Sequence, residues 1–180
     1  MVGVTDANIW IDLHHANLLD EVFALGVVWM TPDIVFYDEV LTVDRSLLKD
    51  LGLEIRPLSG EELTRITELN AHHPSPSPKD LSTIVVAKVE EGIVVTGDGP
   101  LRRAVKEEDL EVHGVLWVLD RLVGQAIIAP PRAATALNTM VSHGSRLPEK
   151  AVDRRLRRGV GAQSEREVAT FYRCHSSIPP

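Results

Sequence analysis

Apolar residues follow two alternating patterns along the chain up to about Gly159. Short apolar runs are typical of buried strands, and segments with an apolar residue every three or four positions are typical of amphipathic helices. The predicted strands are Val2–Thr5, Val27–Met30, Leu53–Leu58, Ile93–Thr96 and Val112–Val115. The predicted helices are Ile9–Leu25, Thr31–Lys49, Gly60–Ala71, Ser77–Glu91, Gly99–Glu108, Leu116–Gln125, Pro130–Gly144 and Pro148–Gly159. Strands separated by helices favour right-handed crossovers and a mainly parallel sheet with helices packed on it.

Length and composition are those of an ordinary globular protein. A chain of 180 residues can bury a core of its own, and 44% hydrophobic with 25% charged residues is a usual balance. The longest apolar run near the start, Val22–Met30, includes Gly26 and is too short to cross a bilayer. The start has no signal-peptide pattern and Cys174 is the one cysteine, so a cytoplasmic protein without membrane attachment or internal disulfide is expected.

Charge is distributed unevenly. The net charge of −7 argues against nonspecific binding to nucleic acid. Residues 146–180, however, hold eight basic and four acidic residues, so this end carries +4 and the remainder −11. The predicted helix there carries Arg154, Arg155, Arg157 and Arg158, a cluster that suits RNA phosphates, a solvated surface or an acidic partner.

Two carboxylates stand directly after apolar strands. Asp6 follows Val2–Thr5, and Asp98 follows Ile93–Thr96 in the stretch VVTGDGPLRR. Ligands of parallel sheets bind at the carboxyl ends of the strands, so both residues are candidates for a site. The alternative for each is a cap or turn residue, because Asp-Gly is favourable turn chemistry.

Two further acids border apolar helix faces. At 100° per residue, Glu39 lies about 60° from Phe36 at the edge of an apolar stripe, whereas Asp38 lies on the far side. Asp80 comes three residues after Ser77, a spacing that predicts a capping box near the rim of the sheet. An ion pair for Glu39 and a helix cap for Asp80 are the structural alternatives.

These four acids are expected to converge on one crevice, Glu39 and Asp80 from early turns of their helices. Carboxylates within about 6 Å repel by roughly 3 kcal/mol per pair at an effective dielectric near 20, so such a cluster needs a bound cation or protonated members. Hard oxygen ligands favour Mg²⁺ or Mn²⁺ over Zn²⁺. The adjacent pairs His14–His15 and His72–His73 lack the spacing of a metal site.

Five segments, in this order and at this spacing, resemble a PIN domain over residues 2–124. They are Thr5–Asn8, Tyr37–Leu41, Lys79–Ser82 with Ala87-Lys88, Val95–Arg102 and Val112–Asp120. The later segment with Arg146-Leu147-Pro148 is similar to the C-terminal helices of a prokaryotic branch related to VapC-type toxins.

The resemblance implies a three-layer α/β/α, Rossmann-like fold and a Mg²⁺- or Mn²⁺-dependent endoribonuclease. Asp6, Glu39, Asp80 and Asp98 would be the acidic quartet that holds the metal, which would activate a water and stabilise the charge on the transition state. Asn8 and Thr96 would be polar neighbours that orient a ligand or water. RNA would be the substrate, an antitoxin protein the partner, and a homodimer is a further family expectation.

The pattern departs from the family after Asp98. Some members carry a further acid there, whereas Gly99 and Pro100 follow here, so a second metal site is in doubt. The helix that begins at Gly99-Pro100 presents free N–H groups suited to a phosphate. Arg102 or Arg103 would add positive charge, with a solvated arginine in the first helical turn as the alternative for each.

Residues 1–126 are interpreted as the catalytic domain, 127–160 as a C-terminal helical extension, and 161–180 as a tail that is flexible or packs against a second subunit. The principal alternative function is a non-catalytic PIN-like module that binds nucleic acid or regulates. A phosphatase of the haloacid-dehalogenase type also uses an Asp after its first strand. It requires further Asp residues where Asn8 and Arg102 stand, and is therefore disfavoured.

Overall fold

A five-stranded, all-parallel sheet forms the centre of the molecule. The computed structural model describes residues 1–157. The strands are β1 (Val2–Thr5), β2 (Val28–Pro32), β3 (Glu54–Arg56), β4 (Ile93–Val95) and β5 (Val112–His113), in the spatial order β3-β2-β1-β4-β5. Every neighbouring pair is parallel. All five predicted strands are confirmed, including the edge position of the third.

Helices cover both faces of this sheet. They are α1 (Ala7–His15), α2 (Leu19–Phe23), α3 (Asp33–Glu39), α4 (Arg45–Asp50), α5 (Gly60–His72), α6 (Pro78–Val89), α7 (Gly99–Glu107), α8 (Val115–Gly124) and α9 (Pro130–Ser142). A further helix, α10, begins at residue 149 and is described to 157. One buried cluster packs α1, α2, α8 and α9 on one face, and a second packs α5, α6 and α7 on the other. The predicted three-layer α/β/α fold is confirmed.

The larger core cluster is organised around Trp10 of α1. Its ring stacks on Phe23 at a centroid distance of 5.6 Å and meets the edge of Trp29 at 6.0 Å. Its Nε1 donates to Thr31 Oγ1 at 2.9 Å, and Thr31 Oγ1 also pairs with Thr5 Oγ1 at 2.7 Å. Burial of these polar atoms is therefore compensated, which fixes the position of β1 relative to β2 and α1.

Two predicted helices are interrupted. The segment Ile9–Leu25 forms α1 and α2, because Asn17 adopts a left-handed φ of 52° between them. The segment Thr31–Lys49 forms the end of β2 followed by α3 and α4, since helical geometry is lost at Val40. Glu39 therefore lies at the end of a helix rather than in an early turn, which corrects that prediction.

Two predicted inward-facing residues are exposed. Leu63 of α5 is 48% exposed and Leu47 of α4 is 39% exposed. Leu47 leaves the predicted apolar stripe because the break after α3 changes the direction of the following helix. Phe36, Val40 and Val43 are buried as expected.

The C-terminal extension shares the larger core. Leu137 and Met140 of α9 are fully buried in the cluster that contains α1 and α8, and Val152 of α10 joins it. In residues 1–157, no helix is both long and apolar enough to cross a membrane. The predicted end of the last helix at Gly159, the tail 161–180 and Cys174 lie outside the described residues.

Candidate active site

The order of the strands places a crevice between β1 and β4. The chain proceeds outward from β1 through β2 to β3 and then returns to pair β4 on the other side of β1. Connections that leave in opposite directions from two adjacent strands open a crevice at their carboxyl ends, where ligands of such sheets bind. Asp6 follows β1, and the segment Thr96–Asp98 follows β4, at this position.

Asp6 forms the floor of the crevice. Its side chain caps α1, with Oδ1 accepting from the backbone N–H of Ile9 at 3.2 Å, and its Oδ2 accepts from the hydroxyl of Thr96. The residue is 2% exposed. Burial raises the pKa of Asp6 to about 7, against the lowering effect of the bonds from Thr96 and Ile9 and with smaller raising effects from Asp80 and Asp98. A carboxyl group with this pKa readily takes up either a proton or a cation near neutral pH.

Thr96 connects the two strand ends. Its Oγ1 donates to Asp6 Oδ2 and accepts from the backbone N–H of Asp98 at 3.0 Å. The hydroxyl is fully buried, and both of its bonds are directed toward carboxylate residues. The Thr96 hydroxyl therefore positions the side chain of Asp6 and the backbone of Asp98.

Asp98 combines the two roles that the sequence left open. Its Oδ1 accepts from the N–H of Leu101 at 2.7 Å and so caps α7, whose second residue is Pro100. Its side chain is partly exposed and acts electrostatically on Asp6. The cap uses one oxygen, and an ionised carboxylate has about four acceptor positions, so capping does not exclude binding of a ligand.

Asp80 and Glu39 approach from α6 and α3. Asp80 Oδ2 accepts from Ser77 N at 2.9 Å and from Ser77 Oγ at 2.8 Å, which confirms the predicted capping box. Glu39 is partly buried, and burial raises its pKa; the charge of Asp80 raises it further, while Lys79 lowers it. Asp80 therefore acts electrostatically on both Asp6 and Glu39.

A salt bridge beside Glu39 was missed by the sequence analysis. Lys79 Nζ lies 3.0 Å from Asp38 Oδ2 and links α6 to α3 at the rim of the crevice. The two residues are forty-one positions apart, so no local pattern indicates the contact. It places one positive charge next to an otherwise acidic rim.

The donor set suits a hard divalent cation that keeps water in its coordination sphere. No group of three or more His, Cys, Asp or Glu side chains in residues 1–157 is close enough to form a ready-made cage. Mg²⁺ usually binds proteins through one or two carboxylates and retains several waters. Burial is the main cause of the raised pKa values of Asp6 and Glu39, and neighbouring acids add to it, so a bound cation would favour the charged forms of both residues. The oxygen donors present are therefore compatible with a hard divalent cation.

The predicted supporting residues fall in different environments. Asn8 is exposed in the first turn of α1 and lines a groove together with Asp98. Arg102 is partly buried, and its Nη1 donates to the carbonyls of Thr96 at 2.9 Å and His113 at 2.5 Å. Arg102 is thus a clamp on the ends of β4 and β5 rather than the solvated arginine of the alternative, and its role as a phosphate ligand stays a prediction. Arg103 is exposed.

The fold and the acidic crevice define the class: a Rossmann-like α/β/α domain with carboxylates at the adjoining ends of β1 and β4. A family model described as a PIN domain matches residues 2–159. The chain belongs to the PIN-domain family, whose fold is of the nuclease type. A search of curated proteins finds no match. The expected family is confirmed, and the VapC-related branch stays a prediction.

Proposed function

We propose that the protein is a Mg²⁺- or Mn²⁺-dependent endoribonuclease of the PIN type, acting as the toxin of a toxin–antitoxin pair or as a stand-alone relative. The observation that carries the proposal is the buried contact between Asp6 and Thr96, with Asp98 held by the same hydroxyl. It joins two acids at the one position of the sheet where a ligand crevice opens. Membership of a nuclease-type family supports the same conclusion.

Asp6, Glu39, Asp80 and Asp98 are the residues that would hold the metal. When bound, the cation would supply Lewis-acid activation of a water and charge stabilisation on the phosphoryl oxygens. The chain's own residues hold the acids apart and correctly oriented: backbone N–H groups of α1 and α7 fix Asp6 and Asp98, and Ser77 fixes Asp80. Burial excludes water from Asp6, which strengthens the electrostatic interaction between its carboxylate and a cation in the crevice.

Cleavage of RNA by the full-length protein tests the proposal. A fluorescently labelled RNA is incubated with Mn²⁺ and either wild type, Asp98→Asn or Asp50→Asn. Asp50 is an exposed acid at the end of α4 and serves as a matched control. Wild type and Asp50→Asn should cut, and Asp98→Asn should lose at least tenfold in rate. The proposal fails if wild type leaves RNA uncut and Asp98→Asn behaves identically.

A non-catalytic, nucleic-acid-binding or regulatory PIN module is the second candidate. This candidate is favoured because Asp6, Asp80 and Asp98 each accept a hydrogen bond at the start of a helix and so have a structural role. The lack of a ready-made three-residue cage within residues 1–157 points the same way. RNA binding without Mn²⁺-dependent cleavage would establish this alternative.

A further inference from the structure

A groove with a mixed polar and apolar lining extends away from the crevice along α1. Its volume is about 660 Å³, within the range of roughly 300–1,000 Å³ that is usual for ligand-binding clefts. Asn8 and Asp98 line one end, and His143, Ser145 and Arg146 line the other. The groove therefore connects the candidate active site to the segment that follows α9.

The end of α9 is shaped to return the chain to α1. Gly144 adopts a φ of +92°, which L side chains rarely adopt, and reverses the chain after the helix. Ser145 N then donates to Met140 O at 3.1 Å, and Ser145 Oγ donates to Asp12 Oδ1 at 2.5 Å. These bonds fix the far wall of the groove opposite α1.

Basic side chains come from both walls. His15 of α1 stacks on His143 with ring centroids 4.4 Å apart. His143 Nδ1 lies 2.9 Å from the carbonyl of Thr139, so it is the donor. His143 Nε2 has no hydrogen-bond partner in residues 1–157 and can donate to a phosphate only in the imidazolium form of the ring. Arg146 is exposed and forms no salt bridge within the described chain.

Two acids, Asp12 and Asp98, also line the groove. Asp12 Oδ1 accepts from Ser145 Oγ, and burial raises the pKa of Asp12. Asp98 is at the end that belongs to the candidate active site. The part of the groove away from the active site therefore presents Arg146, His15 and His143 beside Asp12, one oxygen of which already accepts from Ser145.

We infer that this groove binds the sugar–phosphate backbone of the RNA strand next to the cleaved bond, with Arg146 and the His15–His143 pair as phosphate ligands. The inference rests on the proposed function and assigns a substrate-binding role to the C-terminal extension. Phosphate oxygens are the groups that arginine and imidazole donors recognise. Because Asp98 lines the same groove, an RNA strand bound there would reach the crevice of the candidate active site. This connection favours RNA over an acidic peptide of a partner protein as the ligand.

Binding of a fluorescein-labelled 12-nucleotide polyuridine to the full chain tests the inference. Anisotropy is measured in EDTA, where a metal-dependent nuclease cannot cut, for wild type, Arg146→Gln, His143→Gln and Lys106→Gln. Lys106 is an exposed cation on α7, in the opposite helix layer, and is the matched control. Arg146→Gln should weaken binding roughly tenfold and reduce the slope of log K against log salt by about 0.7, the value for one lost single-strand phosphate contact.

His143→Gln should weaken binding by roughly threefold, and Lys106→Gln by less than about twofold, since only long-range charge is lost there. Thermal unfolding of each variant verifies that it is folded. Cleavage with Mn²⁺ is measured in parallel, so that the two proposals are judged separately.

If wild type binds and cuts while the groove variants bind as Lys106→Gln does, the inference is wrong and the nuclease proposal stands. Variants that lose cleavage but bind RNA normally in EDTA also overturn it. If polyglutamate displaces the RNA with the same dependence on Arg146, the groove is a site for an acidic protein segment instead. A wild-type protein that neither binds nor cuts removes both proposals.

Discussion

Replacement of Asp6 by asparagine isolates the electrostatic cost of the buried carboxylate. Asparagine has nearly the same shape and retains an oxygen that can accept from Ile9 N or Thr96 Oγ1. It removes the charge at a position that is 2% exposed. The two proteins therefore differ mainly in whether this site can ionise.

The magnitude follows from the pKa of Asp6. Burial raises it from 3.8 to about 7, and at 1.36 kcal/mol per unit this is about 4 kcal/mol. Because the folded-state pKa lies above the unfolded one, the wild type binds more protons when folded, and its stability falls as pH rises from about 4 to 7. Above pH 7 the loss is complete.

Asparagine also has a cost, because its amide cannot accept both hydrogen bonds. One lost bond destabilises by about 1–2 kcal/mol. At pH 4.5 wild type has already lost about 1 kcal/mol of the pH-dependent stability, so the variant should be less stable by up to about 1 kcal/mol there and more stable by about 2–3 kcal/mol at pH 8. For a chain of 180 residues, the difference at pH 8 corresponds to roughly 5–10 °C in Tm.

Thermal unfolding in EDTA, followed by tryptophan fluorescence, measures this difference because Trp10 and Trp29 are almost fully buried. Asp50→Asn controls for the loss of one surface charge. Excess Mn²⁺ at pH 8 should raise the Tm of wild type and leave Asp6→Asn unchanged, since a ligand stabilises the form that binds it. A difference between Asp6→Asn and wild type that stays constant from pH 4.5 to 8 would refute the reasoning.

Three further predictions concern the neighbours of Asp6. Calorimetric titration of Mn²⁺ should show binding to wild type and Asp50→Asn, and at least roughly tenfold weaker binding to Asp98→Asn. Equal heats in all three proteins would show that Asp98 serves only as a turn and cap residue. Thr96→Val should destabilise the protein by about 1–3 kcal/mol in urea unfolding because Asp98 N–H loses its acceptor, and Thr96→Ser should restore most of this. Arg102→Gln should destabilise the protein by about 1–3 kcal/mol, because the Arg102 guanidinium donates to the carbonyls of Thr96 and His113. The variant should bind RNA as well as the Lys106→Gln control does. Normal stability with weakened RNA binding would instead make Arg102 a phosphate ligand.

The sheet could be predicted from sequence because its strands are short, apolar and bounded by turn residues. Parallel strands buried on both faces have this pattern, and alternation with helices then restricts the topology. The edge strand Glu54–Arg56 was identifiable because it is less apolar than the others. These features are local, so one sequence is sufficient to recognise them.

The helix breaks were not predictable from apolar periodicity. Phe36 and Val40 are both fully buried although α3 ends between them, because the chain continues along the same core after the break. Periodicity reports which side chains are buried and does not require the backbone to remain helical. The break at Asn17 depends on one left-handed residue, which asparagine tolerates without requiring it.

Site geometry was predictable only where topology determines it. Asp6 and Asp98 follow adjacent strands, so their approach is a consequence of strand order. The Lys79–Asp38 salt bridge and the His15–His143 stack join residues from distant parts of the chain. No spacing rule connects them, because their contact depends on how whole helices pack.

The acidic crevice is tolerable because three of its members are held at helix N-termini. Asp6 caps α1, Asp80 completes the capping box of α6, and Asp98 caps α7. Each receives backbone hydrogen bonds or the positive end of a helix dipole, which stabilises negative charge. Glu39 differs, because it lies at the end of α3, where the dipole opposes a carboxylate. The same turn chemistry that offered a purely structural explanation of Asp98 therefore also stabilises the carboxylates that border the crevice.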